Sequence, residues 1–266
     1  MVVAFYSPLH GQAGTSSNLL SIAISLVLNY QKKLFLMESH FEKNGLESMV
    51  IKKPKQVEQS FLEDFGIDLI ARSKAMGELC EEQLNNASFS FLDNQLHLLP
   101  GTRQVNRDIF EQSIQPTILE VLELANQYYD MVFIDISSNR GELTNKLLER
   151  ADLMVVNLSQ NPCTIRTFFE ETPVEKGKQI YILGNYDKNS RFNRINLSYM
   201  FPKLSIQNTV TISYNGLWRD ASYEAEAISF MRKQFNANVR KKTDNYAKEI
   251  KKASLQIIRK AGGRHV

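Results

Sequence analysis

The chain has 266 residues, of which 43% are hydrophobic and 23% charged, a composition typical of a folded globular protein and not of a disordered one. Its two cysteines, Cys80 and Cys163, are too few for a disulfide framework and lack the spacing of metal ligands. The longest apolar run, 19–28, is too short to span a bilayer, and residues 1–6 lack the basic segment of a secretory signal. We therefore expect a cytoplasmic protein without a transmembrane segment.

The formal net charge of +3 is distributed unevenly along the chain. Residues 232–266 carry eleven Lys or Arg and two Asp or Glu, a balance of +9, so the remaining residues sum to −6. This shift predicts a globular domain over 1–236 and a basic C-terminal helix or tail over 237–266. A basic surface of this kind favours contact with DNA or with an acidic surface.

The N-terminal part of the sequence has the pattern of one strand–loop–helix–strand unit. Val2–Tyr6 is a β-branched and aromatic run, which predicts a buried strand. A loop containing Gly11 and Gly14 follows, and the run 19–28 is apolar nearly all round, which predicts a buried helix. The run 34–37 predicts a second strand. Such a βαβ unit implies a parallel sheet with a right-handed crossover.

The rest of the chain continues the alternation of strands and helices. Polar helical patterns occupy 52–86, and the strand-like stretch 89–99 surrounds a turn at Asp93 and Asn94. Further strands are predicted at 131–134, 153–157, 179–184 and 209–213, and further helices at 118–129, 141–150 and 222–236. This alternation predicts an α/β fold with a doubly wound, mostly parallel sheet flanked by helices.

The basic C-terminal segment predicts an amphipathic helix over 238–260. Its apolar positions, flanked by lysines, are Val239, Tyr246, Ile250, Leu255, Ile257 and Ile258. Four interpretations stay open: a solvated helix face, a DNA-facing patch, a docking surface for an acidic protein, and a membrane-surface helix. Membrane insertion is the least favoured, because the apolar set contains neither Trp nor Phe.

The loop between the first strand and the first helix has the composition of a phosphate-binding loop. In the pattern GxxxxGK[ST], small residues let backbone N–H groups surround the phosphates, the lysine reaches the terminal phosphates and the hydroxyl holds Mg²⁺. This chain keeps the small residues and hydroxyls in the order His10, Gly11, Gln12, Ala13, Gly14, Thr15, Ser16 and Ser17, but Thr15 stands where the lysine is required. Alternatively, Ser16 and Ser17 cap the helix.

The segment 5–18 resembles the deviant phosphate loop of the ParA/MinD family of ATPases, within the P-loop NTPases. It is most similar to degenerate members near the TadZ/CpaE pilus-localisation proteins. In the family pattern KGGxGKTT, the signature lysine falls on His10, the second lysine on Thr15, and the two hydroxyl residues on Ser16 and Ser17. The resemblance therefore implies binding of ATP or ADP with Mg²⁺, with Ser16 as a metal ligand.

The same resemblance assigns roles to residues at later strand ends. Asp135 matches the acidic residue of the YDxxxID strand and would hold Mg²⁺, and His40 occupies the place of a water-positioning aspartate. Asn185 matches the asparagine that reads adenine, and Tyr214 matches a segment near the base. From the residues alone, Asp135 is also interpretable as a polar strand end, although the magnesium role is favoured, and Asn185 is equally interpretable as a turn residue.

Three functional hypotheses follow. The first is a nucleotide-binding protein with little or no hydrolysis, which dimerises and acts as a localisation or assembly scaffold for a pilus or secretion apparatus. It would act in the cytoplasm or peripherally at the inner membrane face or cell pole. The second is a DNA-partitioning ATPase with slow turnover, and the third is a nucleotide-free structural pseudo-ATPase. Loss of both lysines weakens the second hypothesis, because cationic groups supply much of the rate of phosphoryl transfer.

Overall fold

The computed structural model describes residues 1–41, 45–52, 65–74, 77, 79–139, 141–171, 178–237 and 245–262. The strands are β1 (Val2–Tyr6), β2 (Leu34–Glu38), β3 (Phe89–Phe91), β4 (Leu96–Leu98), β5 (Met131–Asp135), β6 (Leu153–Leu158), β7 (Lys178–Tyr186) and β8 (Thr209–Ser213). The α-helices are α1 (Thr15–Tyr30), α2 (Ile67–Ser73), α3 (Glu81–Ala87), α4 (Arg107–Ile109), α5 (Gln115–Tyr128), α6 (Glu142–Arg150), α7 (Pro162–Glu171), α8 (Arg194–Met200), α9 (Gly216–Tyr223), α10 (Ala227–Ala237) and α11 (Asn245–Lys260). A 3-10 turn, Leu46–Met49, follows β2, and a π-helical turn, Phe110–Ile114, joins α4 to α5.

The strands form one sheet in the order β3-β4-β2-β5-β1-β6-β7-β8. Every neighbouring pair is parallel except the hairpin of β3 and β4. The predicted doubly wound, mostly parallel sheet is confirmed. Because the central strands run in one direction, the carboxyl ends of β1, β2, β5, β6 and β7 meet at one edge, where ligands bind in folds of this type.

Helices cover both faces of the sheet, so the strands are buried on both sides and read as continuous apolar runs. In β1, Val3 and Phe5 belong to the core beneath α1, whereas Val2, Ala4 and Tyr6 belong to the core of the opposite face. This division follows from the alternation of side chains along a strand. The first core also contains residues of α10 and α11, and the second contains residues of α5, α6 and α7.

The helix α11 lies in the segment predicted as a basic C-terminal helix or tail. Its Tyr246, Ile250, Ile257 and Ile258 are buried, and the helix contacts α1 and β8. Leu255, which was predicted with this apolar set, is only partly buried, and the predicted position Val239 lies outside the described residues. Within 245–260, α11 therefore contributes its apolar side to the main core and presents its lysines on the outer side.

The prediction of a single helix over 222–236 is wrong. α9 ends at Tyr223 and α10 begins at Ala227, with Ala225 in the left-handed region at φ 58°. The N–H of Glu226 donates to the carbonyl of Ala221 at 2.7 Å and that of Ala225 to Ser222 at 3.3 Å, which satisfies the last carbonyls of α9. The end of α9 is not evident from the sequence, because alanine occupies a left-handed position at which glycine is usual.

Within the residues that the structure describes, no helix is both long enough and apolar enough to span a membrane.

Candidate functional site

The loop between β1 and α1 places the amino end of a long helix at the sheet edge. Gly11 has φ 70° and Gly14 has φ 64°, a region that glycine enters without steric cost. Gly14 is the N-cap of α1, and no side chain caps the helix, so the alternative role of Ser16 and Ser17 as caps is wrong. The first N–H groups of α1 therefore lack a side-chain acceptor, as at helix ends that bind anions.

A cavity of about 260 Å³ opens in front of this helix end. Seven of the residues predicted for nucleotide or metal binding line it: His10, Gly11, Gly14, Thr15, Ser16, Ser17 and Asp135. The structure thus brings the loop and the end of β5 together as predicted. Among the described residues, no lysine or arginine lines this cavity. The groups around it that are able to donate hydrogen bonds to an anion include hydroxyls, backbone N–H groups and the imidazole of His10.

Gln12 and Ala13 do not line this cavity, and their carbonyl groups accept hydrogen bonds from β7 and from α1. The side-chain amide of Asn185 donates to the Gln12 carbonyl at 3.0 Å, and that of Asn18 donates to the Ala13 carbonyl at 3.1 Å. Gly184 in β7 lies directly against the loop, where a Cβ atom would overlap the Ala13 carbonyl oxygen. These contacts fix the loop to β7.

Asp135 ends β5 and carries a buried carboxylate. The residue is 1% exposed, and neither carboxylate oxygen accepts a hydrogen bond from any described residue. The Nε2 atom of His40 lies 3.4 Å from its Oδ1 atom. A buried carboxylate without hydrogen bonds is costly, so this geometry points to a ligand. Carboxylate and hydroxyl oxygens suit Mg²⁺, and Ser16 lines the same cavity, so the residues present fit this ion.

A second buried carboxyl group, Glu38, lies beside Asp135 in the β2–β5 register and was not predicted as a site residue. Burial, followed by the nearby Glu47, raises the pKa of Glu38 to about 8. Its Oε2 atom accepts a hydrogen bond from the Leu46 N–H at 2.9 Å, and Cβ atoms at Gly45 or Gly101 would overlap this carboxyl group. The sequence feature that could have identified Glu38 is an acidic residue at the end of an apolar strand, the same feature that identified Asp135.

Asn185 and Tyr214 line a neighbouring cavity of about 450 Å³ instead of the phosphate-loop cavity. Tyr214 is 54% exposed, and the guanidinium of Arg219 lies 5.6 Å from the centre of its ring. Asn185 has φ 48°, so it also serves as a turn residue. Because its amide binds the Gln12 carbonyl, Asn185 links this cavity to the phosphate loop.

Trp218 connects α9 to the first helix and was not predicted to have a role. Its Nε1–H donates a hydrogen bond to the Ser17 hydroxyl, and the side chain is buried at 3% exposure. Because the Ser17 oxygen accepts this bond, its own proton is available to donate into the cavity. The only tryptophan of the chain is thus in direct contact with the loop helix.

No protein-family model matches this sequence, and no curated protein sequence is significantly similar to it. Solved structures do match. A ParA family ATPase from Chlorobium tepidum TLS is 15% identical, with a TM-score of 0.71, covering 96% of this chain and 98% of that chain.

Two further matches contain nucleotides. A putative plasmid partition protein from Borrelia burgdorferi B31 bound to AMPPNP is 15% identical, with a TM-score of 0.64, covering 97% of this chain and 98% of that one. The septum site-determining protein MinD from Pyrococcus horikoshii OT3, complexed with Mg-ADP, is 12% identical, with a TM-score of 0.66 and 98% coverage of both chains. This chain therefore has the fold of the ParA/MinD ATPases.

Proposed function

We propose that this protein binds ATP or ADP with Mg²⁺, hydrolyses it little or not at all, and acts as a dimerising localisation or assembly scaffold. The supporting observation is that two features meet at one cavity. They are the amino end of a 16-residue helix, which no side chain caps, and the buried carboxylate of Asp135. The helix end attracts anions and the carboxylate attracts a cation. A nucleotide phosphate chain with its metal ion satisfies both demands.

Each part of the proposed ligand has a group to hold it. The N–H groups of the loop and the first turn of α1 would bind phosphate oxygens, helped by the hydroxyls of Thr15 and Ser17. Ser16 and Asp135 would hold Mg²⁺, which neutralises phosphate charge when bound. The adjoining cavity of about 450 Å³, lined by Asn185 and Tyr214, would take the base. Two proteins of the same fold were solved with AMPPNP and with Mg-ADP.

Weak hydrolysis is expected from the charges at the phosphate loop. Two lysines are absent, and charge-assisted contacts of this kind are worth about 1.5–3 kcal/mol each. Cationic groups at the transferring phosphate supply roughly 10³–10⁵ in rate. His40, predicted at the place of a water-positioning carboxylate, is not a carboxylate, and its Nε2 atom lies 3.4 Å from Oδ1 of Asp135. Nucleotide binding survives these losses better than catalysis.

The first test is titration of a fluorescent ATP analogue with and without Mg²⁺. Titration with unlabelled ATP, monitored by Trp218 emission, gives a second signal that needs no label. The parent protein should bind more tightly with Mg²⁺, and Asp135→Asn should remove that enhancement while leaving the fold intact by circular dichroism. Asp220→Asn, at an exposed carboxylate paired with Arg219, is the matched control and should behave like the parent. Equal affinity of the parent and Asp135→Asn in Mg²⁺ would contradict the metal role of Asp135, and no binding by the parent would support the nucleotide-free pseudo-ATPase.

The second test restores the missing cation. Thr15→Lys places an ammonium group at the first residue of α1, where it can reach terminal phosphates, so the affinity for ATP should rise by about tenfold or more. ADP affinity should rise less, since ADP lacks the γ-phosphate. Thr15→Gln is the control of similar reach without charge. An unchanged affinity in Thr15→Lys would contradict the assignment of this cavity to phosphates.

The scaffold role and homodimer rest on the family resemblance, supported by exposed apolar residues beside the loop. Leu217 is 67% exposed and Tyr223 is 93% exposed on α9, the helix that Trp218 connects to Ser17. We expect ATP-dependent dimerisation, measured by light scattering, and its loss in Leu217→Asp. The proposed partner is a pilus or secretion apparatus at the inner membrane face or cell pole. Sustained DNA-stimulated phosphate release would favour the DNA-partitioning ATPase instead.

A further inference from the structure

Five cationic side chains of α11 line an open cavity of about 760 Å³ beside the loop that precedes β8: Lys248, Lys251, Lys252, Arg259 and Lys260. Leu255 of the same helix and Ile206 of that loop also line it. We call this cavity the α11 groove. The side-chain amide of Gln256 donates to the carbonyl of Gln207, which holds the loop against the helix.

The cations of the α11 groove have no anionic partner among the residues that the structure describes. Glu249 is the only acidic residue of α11. Its carboxylate is occupied elsewhere, because it accepts hydrogen bonds from the backbone N–H of Ser213 at 2.7 Å and from the Ser213 hydroxyl at 3.0 Å. The outer side of α11 thus presents positive charge that no carboxylate of the described residues offsets through an ion pair.

The helix itself explains only part of this charge. Arg259 and Lys260 lie in the last turn, where cations interact favourably with the helix dipole. Lys248, Lys251 and Lys252 lie in the first half, where the dipole offers no such benefit. Lys248 and Lys252 are four residues apart on one side of the helix, so their charges repel each other. An anionic ligand would relieve this repulsion.

The α11 groove also has two apolar side chains. Leu255 lies on the same stripe of the helix as Lys248, Lys252 and Arg259, and Ile206 is 61% exposed. Apolar side chains among cations are complementary to an acidic peptide that carries an apolar side chain. No aromatic residue lines this part of the described surface, whereas proteins that bind single-stranded nucleic acids typically stack the bases on aromatic rings.

We propose that the α11 groove binds an acidic segment of a partner protein. Carboxylates of the segment contact the lysines and Arg259, and one apolar side chain packs on Leu255 and Ile206. This site lies on the outer side of α11 and does not include the residues proposed for nucleotide binding. Its test therefore succeeds or fails separately from the nucleotide assay.

The experiment measures fluorescence anisotropy of a labelled peptide made of Glu and Asp around a central Leu. The full-length parent protein should bind it, with affinity that falls as NaCl increases. Lys248→Glu combined with Lys252→Glu should weaken binding by about tenfold or more, since two exposed attractive charges become repulsive. Leu255→Ala should weaken binding of this peptide severalfold but leave a peptide with Gly in place of Leu unaffected.

The matched control is Lys146→Glu with Arg166→Glu, which changes net charge equally at exposed positions of α6 and α7. The control should bind the peptide like the parent protein. Equal weakening in both double variants, or no effect in either, would overturn the proposal. So would tighter binding of a labelled DNA duplex or of anionic lipid vesicles than of the peptide, if the Lys248/Lys252 double variant abolishes it.

Discussion

At the residue scale, the site depends on two carboxyl groups at neighbouring strand ends. Glu38 and Asp135 are register partners in β2 and β5, and the charge of Asp135 contributes to raising the pKa of Glu38 to about 8. Glu38 is therefore mostly protonated at neutral pH. Of these two residues only Asp135 lines the cavity, and one carboxylate suits one divalent cation with its phosphate ligands.

Glu38→Gln should change how stability depends on pH. The pKa of Glu38 in the folded protein, about 8, is above its ordinary value of 4.5. The folded protein therefore keeps a proton that the unfolded chain releases as the pH rises between these values, and stability falls across that window. Glutamine avoids this loss, so the variant should melt at a higher temperature than the parent above pH 8 and converge with it towards pH 4.5.

Thermal unfolding followed by circular dichroism across this pH range measures the difference. Glu142→Gln is the control, because Glu142 is exposed on α6 and its pKa is lowered by the Lys146 ammonium group. It should track the parent throughout the same window. A Glu38→Gln variant that melts in parallel with the parent at every pH would contradict a protonated, buried Glu38.

The placement of the loop 10–17 and of Asp135 at the carboxyl edge of the sheet was predictable, because each is read from local chain order: strand, small residues, helix, or the end of an apolar strand. The contacts of Glu38 and Trp218 were not predictable. Their roles arise from residues distant in sequence, Gly101 against the Glu38 carboxyl group and Ser17 against the Trp218 ring nitrogen. Contacts between residues so far apart in the chain cannot be inferred from the sequence immediately around Glu38 or Trp218.

At the element scale, the position of the loop between β1 and α1 depends on its contacts with β7. Gly184 lets the strand approach the Ala13 carbonyl, and Asn185 fixes the Gln12 carbonyl. The amino end of α1 is then directed at the cavity, with its dipole available to an anion. The phosphate loop and β7 thus form one unit, although more than 160 residues separate them.

Gly184→Ala should displace the phosphate loop. The added Cβ overlaps the Ala13 carbonyl oxygen, so the backbone must move, at a cost of about 1–3 kcal/mol in stability. Chemical denaturation measures this cost, and the fluorescent ATP analogue should bind more weakly. Gly216→Ala is the matched control, since a Cβ there meets no atom within 4 Å and α9 tolerates alanine. Unchanged stability and affinity in Gly184→Ala would show that the loop does not rest on β7.

The strands were predicted within one or two residues, because a sheet covered on both faces produces uninterrupted apolar runs. Helix ends were harder to predict. The stop between α9 and α10 uses Ala225 at positive φ, which neither composition nor periodicity signals. The start of the predicted helix 118–129 was also late, because a π-helical turn and α4 precede α5 from Asn106 onwards.

At the scale of the whole molecule, α11 joins the core that α1 and β8 share. Ile250 and Ile257 are fully buried, and the ring of Tyr246 lies 6.0 Å from that of Trp218, measured between centroids. The distribution of charge along the sequence suggested a domain boundary after residue 236. A charge count includes the lysines of α11 but carries no information about the apolar face that is buried. We therefore expect 245–260 to unfold together with the rest of the molecule.

Ile257→Ala should destabilise the entire protein by about 2–5 kcal/mol, the usual cost of truncating a buried isoleucine. Trp218 emission and circular dichroism should report one coincident transition at a lower denaturant concentration than in the parent. Lys252→Ala, exposed on the same helix, should shift the midpoint little. Separate transitions for the two signals would identify α11 as an independent unit.

Glu249 gives this architecture one more property. The same carboxylate that leaves the outer side of α11 uncompensated also secures Ser213, the last residue before Tyr214. The α11 groove and the cavity lined by Tyr214 are therefore both bordered by the helix that carries Glu249. Any energy transmitted through it must act equally in both directions, so an acidic segment that altered nucleotide affinity would find its own affinity altered by the same factor.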